Sequence, residues 1–242
     1  MTKKNYIGNA FEELSQSLRV LLEANYYARE LIFVDRAEAI GNIETALTNV
    51  LNSFHSLYDA TNKQLQEKPI DWYKTGSLAF ILAIRNARHH NHANRIRTLY
   101  TYHLQESENF KTMEQYILID FPSLEEAADT FDVYVSWEDI GELISMPKNI
   151  SKMTVDTCSE IVAYLNSKKF PEYAEIYNLQ EGKVFLNIVP LIVNAAIAIV
   201  PLIKDYCNSN TTESNTFKEL FSNIKPADTL NHDVNCGPFV LP

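Results

Sequence analysis

The sequence contains little glycine and little cysteine, and each shortage disfavours a class of protein. Six glycines among 242 residues, beside 13 tyrosines and 12 phenylalanines, provide few tight hairpin turns and disfavour an all-β architecture. The three cysteines, Cys158, Cys207 and Cys236, form no Cys-x-x-Cys pair, so neither a disulfide scaffold nor a zinc ribbon is supported. No apolar secretory signal is visible, so we expect a cytoplasmic protein.

Residues 112–147 contain no lysine or arginine, and most of the net negative charge of the chain comes from this segment. The chain has 31 acidic and 21 basic residues, a formal charge of −10. Nine of the acids lie within residues 112–147, where no Lys or Arg occurs, so the rest of the chain holds 22 acidic and 21 basic residues. This distribution disfavours broad binding to duplex nucleic acid but permits capture of a phosphate at one site.

Apolar residues recur every three or four positions through most of the chain, which predicts a mainly α protein. Asp35, followed three residues later by Glu38, is typical of a helix N-cap. The first three helices are predicted at 7–30, from 35 to about 69, and from 71 or 75 to His103.

The second half of the chain is less uniform. Residues 116–120 and 133–137 are predicted as short strands on either side of a helix that begins at Ser123, and they form a small acidic α/β insert at about 112–147. The insert interrupts a helical domain over 1–207, and 208–242 is interpreted as a polar linker, a short helix at 217–224 and a tail.

Residues 184–203 are almost uniformly apolar and about as long as a membrane span. Two amides and two prolines lie within the segment, at Asn187, Asn194, Pro190 and Pro201, which favours a buried core helix. A membrane-acting effector built on this segment is the alternative.

One short stretch concentrates arginine and histidine. It reads Ile-Arg-Asn-Ala-Arg-His-His-Asn-His-Ala-Asn-Arg over 84–95, and Arg85, Arg88, Arg95 and Arg97 are four of the seven arginines in the chain. Arginine offers a rigid fork of donors to phosphate oxygens, and histidine transfers protons near neutral pH. Because the 2′-hydroxyl of RNA can attack the neighbouring phosphorus, cleavage of an RNA phosphodiester requires from the enzyme only proton transfer and charge stabilisation.

The order Arg85-Asn86-x₃-His90 resembles the Arg-x₄₋₆-His motif of the HEPN superfamily. This resemblance implies a helical, dimeric, metal-independent endoribonuclease that needs no cofactor and has the motifs of two protomers at a composite active site. It also implies a toxin or antiviral (abortive-infection) effector, with a regulatory protein or antitoxin as a further partner. By this resemblance Arg85 would be the arginine that stabilises the phosphate, Asn86 the polar orienting residue, and His90 the catalytic histidine.

Helical geometry leaves the choice of histidine open. On a regular helix His89 and His92 lie about 40° and 20° around the axis from Arg85, whereas His90 lies about 140° away. We rank His90 first as the catalytic residue and His92 second. The remaining cationic and imidazole side chains of the cluster are candidate substrate-binding residues: Arg88, His89, Arg95 and Arg97.

Several other interpretations compete with RNA cleavage. The cluster could pair with acids of a neighbouring helix, or it could serve a non-catalytic helical module that binds RNA or protein. His89 and His92 have a spacing compatible with zinc, but no further ligand converges on them, so we expect no metal site. His55 and His232 stand alone in the sequence and are interpreted as structural or exposed.

Overall fold

Two long antiparallel helices, α1 (Tyr6–Leu31) and α2 (Arg36–Gln64), form the start of the fold. The structure is a computed structural model that describes residues 4–65, 70–90, 96–106, 114–123, 131–151, 153–207 and 211–238. The predicted cap is confirmed, because the Asp35 side chain accepts from the Glu38 N–H at 2.9 Å. The hydroxyls of Ser17 and Ser53 lie 2.8 Å apart across the two helices and help to fix their register.

The predicted third helix ends earlier than the sequence indicated. Helix α3 spans Gly76–His90, and a separate helix α4 spans Leu99–Glu106, so a single helix to His103 is wrong. Ile96 between them has a φ of 53° and is fully buried. Thr98 then forms a bridge to Val135, so tertiary contacts redirect the chain despite the continuous helical spacing.

A four-stranded sheet lies beside the helices. Its strands are β1 (Gln115–Asp120), β2 (Tyr134–Ser136), β3 (Val184–Asn187) and β4 (Asp233–Pro238). The order across the sheet is β2-β3-β1-β4, with β1 parallel to β3 and the other pairs antiparallel. The two strands predicted in the acidic segment are therefore present, but they pair with residues far along the chain.

Two sequence interpretations are corrected by this sheet. The apolar segment 184–203 begins as the inner strand β3 before its helix starts, since Asn187 caps the helix by accepting from the Val189 N–H at 3.1 Å. The predicted tail contributes β4, an edge strand paired with β1. The helix predicted to begin at Ser123 falls mostly within 124–130, outside the described residues.

The remaining helices pack around this frame. They are α5 (Trp137–Ser145), α6 (Lys148–Ser151), α7 (Val155–Tyr164), α8 (Phe170–Ile176), α9 (Ile188–Ile203) and α10 (Thr212–Asn223). Helix α10 begins inside the predicted linker, because the Thr211 side chain caps it. Together with the sheet they make a mainly helical protein, as predicted.

Helix α9 passes through the core. Leu191, Ala195 and Ile199 are fully buried, and the core they share with α3 is continuous with that of α1 and α2. The stretch Ile188–Tyr206 is long and apolar enough to cross a membrane, although half of it is buried inside the fold. A core helix passes the same test of length and composition.

Candidate active site

A polar stripe runs along α2 on the side that contacts α3. Steps of four, four, three and four residues place its members on one helical face. They are Glu44, Thr48, Asn52, His55 and Asp59. Arg85 and Arg88 of α3 contact three of these residues, so the stripe and these two arginines form one site.

Arg85 is held in this site by two amides. Its Nε donates to Oδ1 of Asn52 at 3.2 Å, and its Nη1 donates to Oδ1 of the adjacent Asn86 at 3.1 Å. Among the described residues, no carboxylate lies within ion-pair distance of the guanidinium. Burial lowers the pKa of Arg85, and the charge of Asp59 opposes that shift. Because arginine stays protonated at any ordinary pH, Arg85 is a partly exposed cation that no carboxylate of the described residues neutralises.

A small cleft opens beside Arg85. Its volume is about 50 Å³, and its lining consists of Thr48, Leu51, Asn52, Arg85, Arg88 and His89. Pockets that enclose a drug-sized ligand measure about 300–1,000 Å³, so this cleft is too small to surround a nucleotide. A nucleic-acid ligand would have to lie across its opening and present only a phosphate to Arg85.

Arg88 lines the cleft, but its guanidinium is engaged by the fold. Nη2 donates to Oε2 of Glu44 at 2.6 Å and to Oγ1 of Thr48 at 3.3 Å, while Nη1 donates to the Ile96 carbonyl at 3.0 Å. The Glu44 carboxylate also accepts from the hydroxyl of Thr98. Arg88 therefore ties α2 to α3 and to the segment before α4 through both of its Nη atoms. Its role in substrate binding stays a prediction.

Arg97 is bound to a buried carboxylate on another part of the protein. Asp139 is fully buried and accepts from the Arg97 backbone N–H at 2.7 Å, from Nε at 3.0 Å and from Nη2 at 2.7 Å. The guanidinium also lies 4.9 Å from the centre of the Tyr102 ring. This geometry assigns Arg97 to the α5 junction and does not bring it into the cleft.

The histidines of the cluster are separated by the regular geometry of α3. The helix is uninterrupted through His90, so His89, four residues after Arg85, lies on the same face, and its side chain is exposed beside the cleft. The backbone of His90 lies about 140° around the axis from Arg85. The side chain of His90, and all of His92 and Arg95, lie outside the described residues.

His55 lies beside this site, although its place in the sequence alone did not indicate it. It is not isolated, because Arg85 and His89 of α3 both act electrostatically on its imidazole. Its Nδ1 lies 3.4 Å from Oδ2 of Asp59, and its side chain is 28% exposed. The polar stripe on α2 was the signal available in the sequence, since polar residues recur there at helical spacing opposite a helix rich in arginine.

His232, also interpreted as structural or exposed, is a structural residue. Its Nε2 lies 3.0 Å from the Leu165 carbonyl and its Nδ1 lies 3.0 Å from the Tyr173 hydroxyl, so both ring nitrogens have partners. The ring packs against Phe121 and Phe170. It anchors the segment that leads into β4.

Within the described part of the chain, no group of three or more His, Cys, Asp or Glu side chains is arranged to hold a metal ion. Comparisons with protein-family models, with curated proteins and with solved structures found no match. The function is therefore inferred from the side chains that line the cleft between α2 and α3.

Proposed function

We propose that this protein is a metal-independent endoribonuclease of the HEPN type, acting on single-stranded RNA as a toxin or antiviral effector. The observation that carries the proposal is the state of Arg85. It is the described arginine of the cluster whose charge no carboxylate neutralises, and it lies on the same helical face as His89 at a partly exposed cleft. A cation held by neutral amides suits an anionic ligand such as a phosphodiester.

The proposed reaction uses the RNA's own nucleophile. The 2′-hydroxyl oxygen attacks phosphorus while a histidine takes its proton, the bond to the 5′ oxygen breaks, and that oxygen receives a proton. The products are a 2′,3′-cyclic phosphate and a 5′-hydroxyl end. Arg85 would stabilise the charge that develops on the phosphorane oxygens, and Asn86 and Asn52 would hold its guanidinium in place.

A homodimer with a composite site is part of the proposal. Within one chain the position of His90 faces away from Arg85, so a second copy of α3 would bring His90 to Arg85 more directly than the same helix would. This arrangement also accounts for the small cleft in a single chain, because the partner's α3 would supply the missing wall.

Cleavage of a fluorescent single-stranded RNA by the purified chain, with and without chelator, tests the proposal. Arg85→Ala should lower the rate by about 10²–10³-fold, whereas Arg19→Ala, an exposed arginine on α1, should not change it. Substituting His89, His90 and His92 by Ala one at a time identifies the histidine, whose loss should cost about 10²–10⁴-fold. Cleavage by Arg85→Ala at the wild-type rate would refute the site.

Mixing two inactive variants tests the composite site. If Arg85 of one copy acts with His90 of the other, a mixture of Arg85→Ala and His90→Ala chains should recover about a quarter of the wild-type activity, because half of the dimers contain one intact site. No recovery from mixed chains that do form dimers would place both residues in one chain's site.

A non-catalytic RNA-binding module is the second candidate. The positive charge of Arg85, which no carboxylate of the described residues neutralises, favours this candidate as well. RNA that is bound but remains intact, with binding lost in Arg85→Ala, would identify this function. A membrane-acting effector is tested separately by sedimentation with liposomes.

A further inference from the structure

We infer that His55, oriented by Asp59 on α2, is a second proton-transfer residue of the cleft, which accepts the proton of the RNA 2′-hydroxyl while a histidine of α3 protonates the leaving 5′ oxygen. The inference rests on the proposed ribonuclease function and adds to it a residue outside the Arg-x₄₋₆-His motif. It divides the acid and base roles between two helices.

The position of His55 follows from a contact already described. Asn52 binds the Nε of Arg85 at 3.2 Å, and His55 lies three residues later on the same face of α2. Its imidazole lies just beyond the residues that line the cleft, within electrostatic range of the Arg85 guanidinium. His89 lies one turn after Arg85 on α3 and also acts electrostatically on His55, so the two imidazoles flank the region of Arg85.

Asp59, one turn after His55 on α2, is its acidic neighbour. Its Oδ2 lies 3.4 Å from Nδ1, which favours the proton on Nδ1 and leaves the lone pair on Nε2. Among the described residues Nε2 has no hydrogen-bond partner, and 28% of the side chain is exposed. A histidine arranged in this way can accept a proton from a ligand that extends from the cleft toward α2 at His55.

The charges around His55 favour its neutral form. Burial lowers its pKa most, and the Arg85 charge and His89 lower it further, while the Asp59 carboxylate opposes them. The Tyr58 ring packs at 5.8 Å from the imidazole. At neutral pH the imidazole is therefore mostly unprotonated, which is the state that a general base requires.

The protons taken and given by the two histidines balance over one turnover. Nε2 of His55 takes the 2′-hydroxyl proton as the oxygen–phosphorus bond forms, and a protonated histidine of α3 gives its proton to the 5′ oxygen as the phosphorus–oxygen bond breaks. The two histidines exchange protonation states, and solvent restores them.

An RNA with sulfur in place of the bridging 5′ oxygen distinguishes the two roles, because a thiolate leaves without being protonated. His55→Ala should lower cleavage by about 10²–10⁴-fold on both the ordinary and the sulfur-containing RNA. The variant that lacks the α3 acid should be slow on the ordinary RNA and close to wild type on the sulfur RNA. Restoration of the sulfur RNA's cleavage in His55→Ala would make His55 the acid and overturn the assignment.

Two further measurements separate proton transfer from a purely structural role. Added imidazole should restore part of the activity of His55→Ala, and Asp59→Asn should reduce the rate with a smaller loss. Circular dichroism and urea unfolding verify that each variant is folded. Failure of imidazole to restore activity in a folded, inactive His55→Ala would count against proton transfer.

The failure of this inference differs from the failure of the proposed function. If the wild-type chain leaves RNA intact, the ribonuclease proposal fails. If the wild-type chain cleaves, Arg85→Ala does not, and His55→Ala cleaves normally, only the role of His55 is refuted.

Discussion

Removing the Arg97 side chain should destabilise the folded protein by about 3–5 kcal/mol, because it leaves a buried carboxylate without its counter-charge. Asp139 is fully buried, and the Arg97 side chain is 11% exposed. Arg97→Ala removes the Nε and Nη2 donors, and of the hydrogen bonds to the Asp139 carboxylate within the described part of the chain it leaves that from the residue-97 backbone N–H. It also removes the guanidinium from the Tyr102 ring, a contact worth about 0.5–1 kcal/mol.

Urea unfolding followed by far-UV circular dichroism measures this loss. Arg97→Ala, Asp139→Ala and the double variant form a thermodynamic cycle, in which the double variant should lose less stability than the sum of the single variants. If the slope of the unfolding free energy against urea concentration is the same in variant and wild type, the substitution has changed stability without changing the surface exposed on unfolding. The control is Arg19→Ala, whose exposed pair with Glu23 should contribute at most about 1 kcal/mol.

The result also separates the structural role of Arg97 from the substrate-binding role predicted from the sequence. If Arg97→Ala is as stable as Arg19→Ala and has lost affinity for RNA, the reasoning from Asp139 is wrong. A less stable variant that retains its affinity for RNA when folded would support it.

The remaining predictions concern a buried histidine and the core helix. Burial lowers the pKa of His232 below its ordinary value of 6.5. Its contribution to stability is therefore complete above pH 6.5 and is lost as the pH falls through the folded-state pKa. Between pH 6.5 and that lower pKa, the urea midpoint of His232→Gln should decline less than the midpoint of the wild type. Ile199→Ala in α9 should cost about 2–5 kcal/mol by opening a cavity, whereas Leu202→Ala, at a half-exposed position, should change stability by no more than about 0.5 kcal/mol. Equal losses for the two α9 variants in thermal unfolding would contradict the core packing described for this helix.

Features that depend on neighbouring residues were predictable from the sequence. The spacing of apolar residues predicted α1 and α2, and Asp35 predicted the start of α2, because a cap and an amphipathic face are set within a few positions. The same local geometry placed His89 on the face of Arg85, which the regular helix α3 confirms.

Features that depend on distant partners were not predictable. Residues 184–187 have the composition of the helix that follows them, and they form a strand because β1 and β2 lie on either side to accept it. The tail forms β4 because the other edge of β1 offers unpaired backbone groups. Apolar side chains alone did not distinguish these outcomes, since strand and helix bury them equally well.

The candidate site shows the same division. The sequence by itself determined that residues 85–89 combine a guanidinium and an imidazole on one helical face, because four residues make about one turn. Only the tertiary structure decided which charges remain available, since Asp139 engages Arg97, Glu44 engages Arg88, and Arg85 meets an amide. These partners lie 33 to 44 positions away along the chain and become neighbours only when the helices pack.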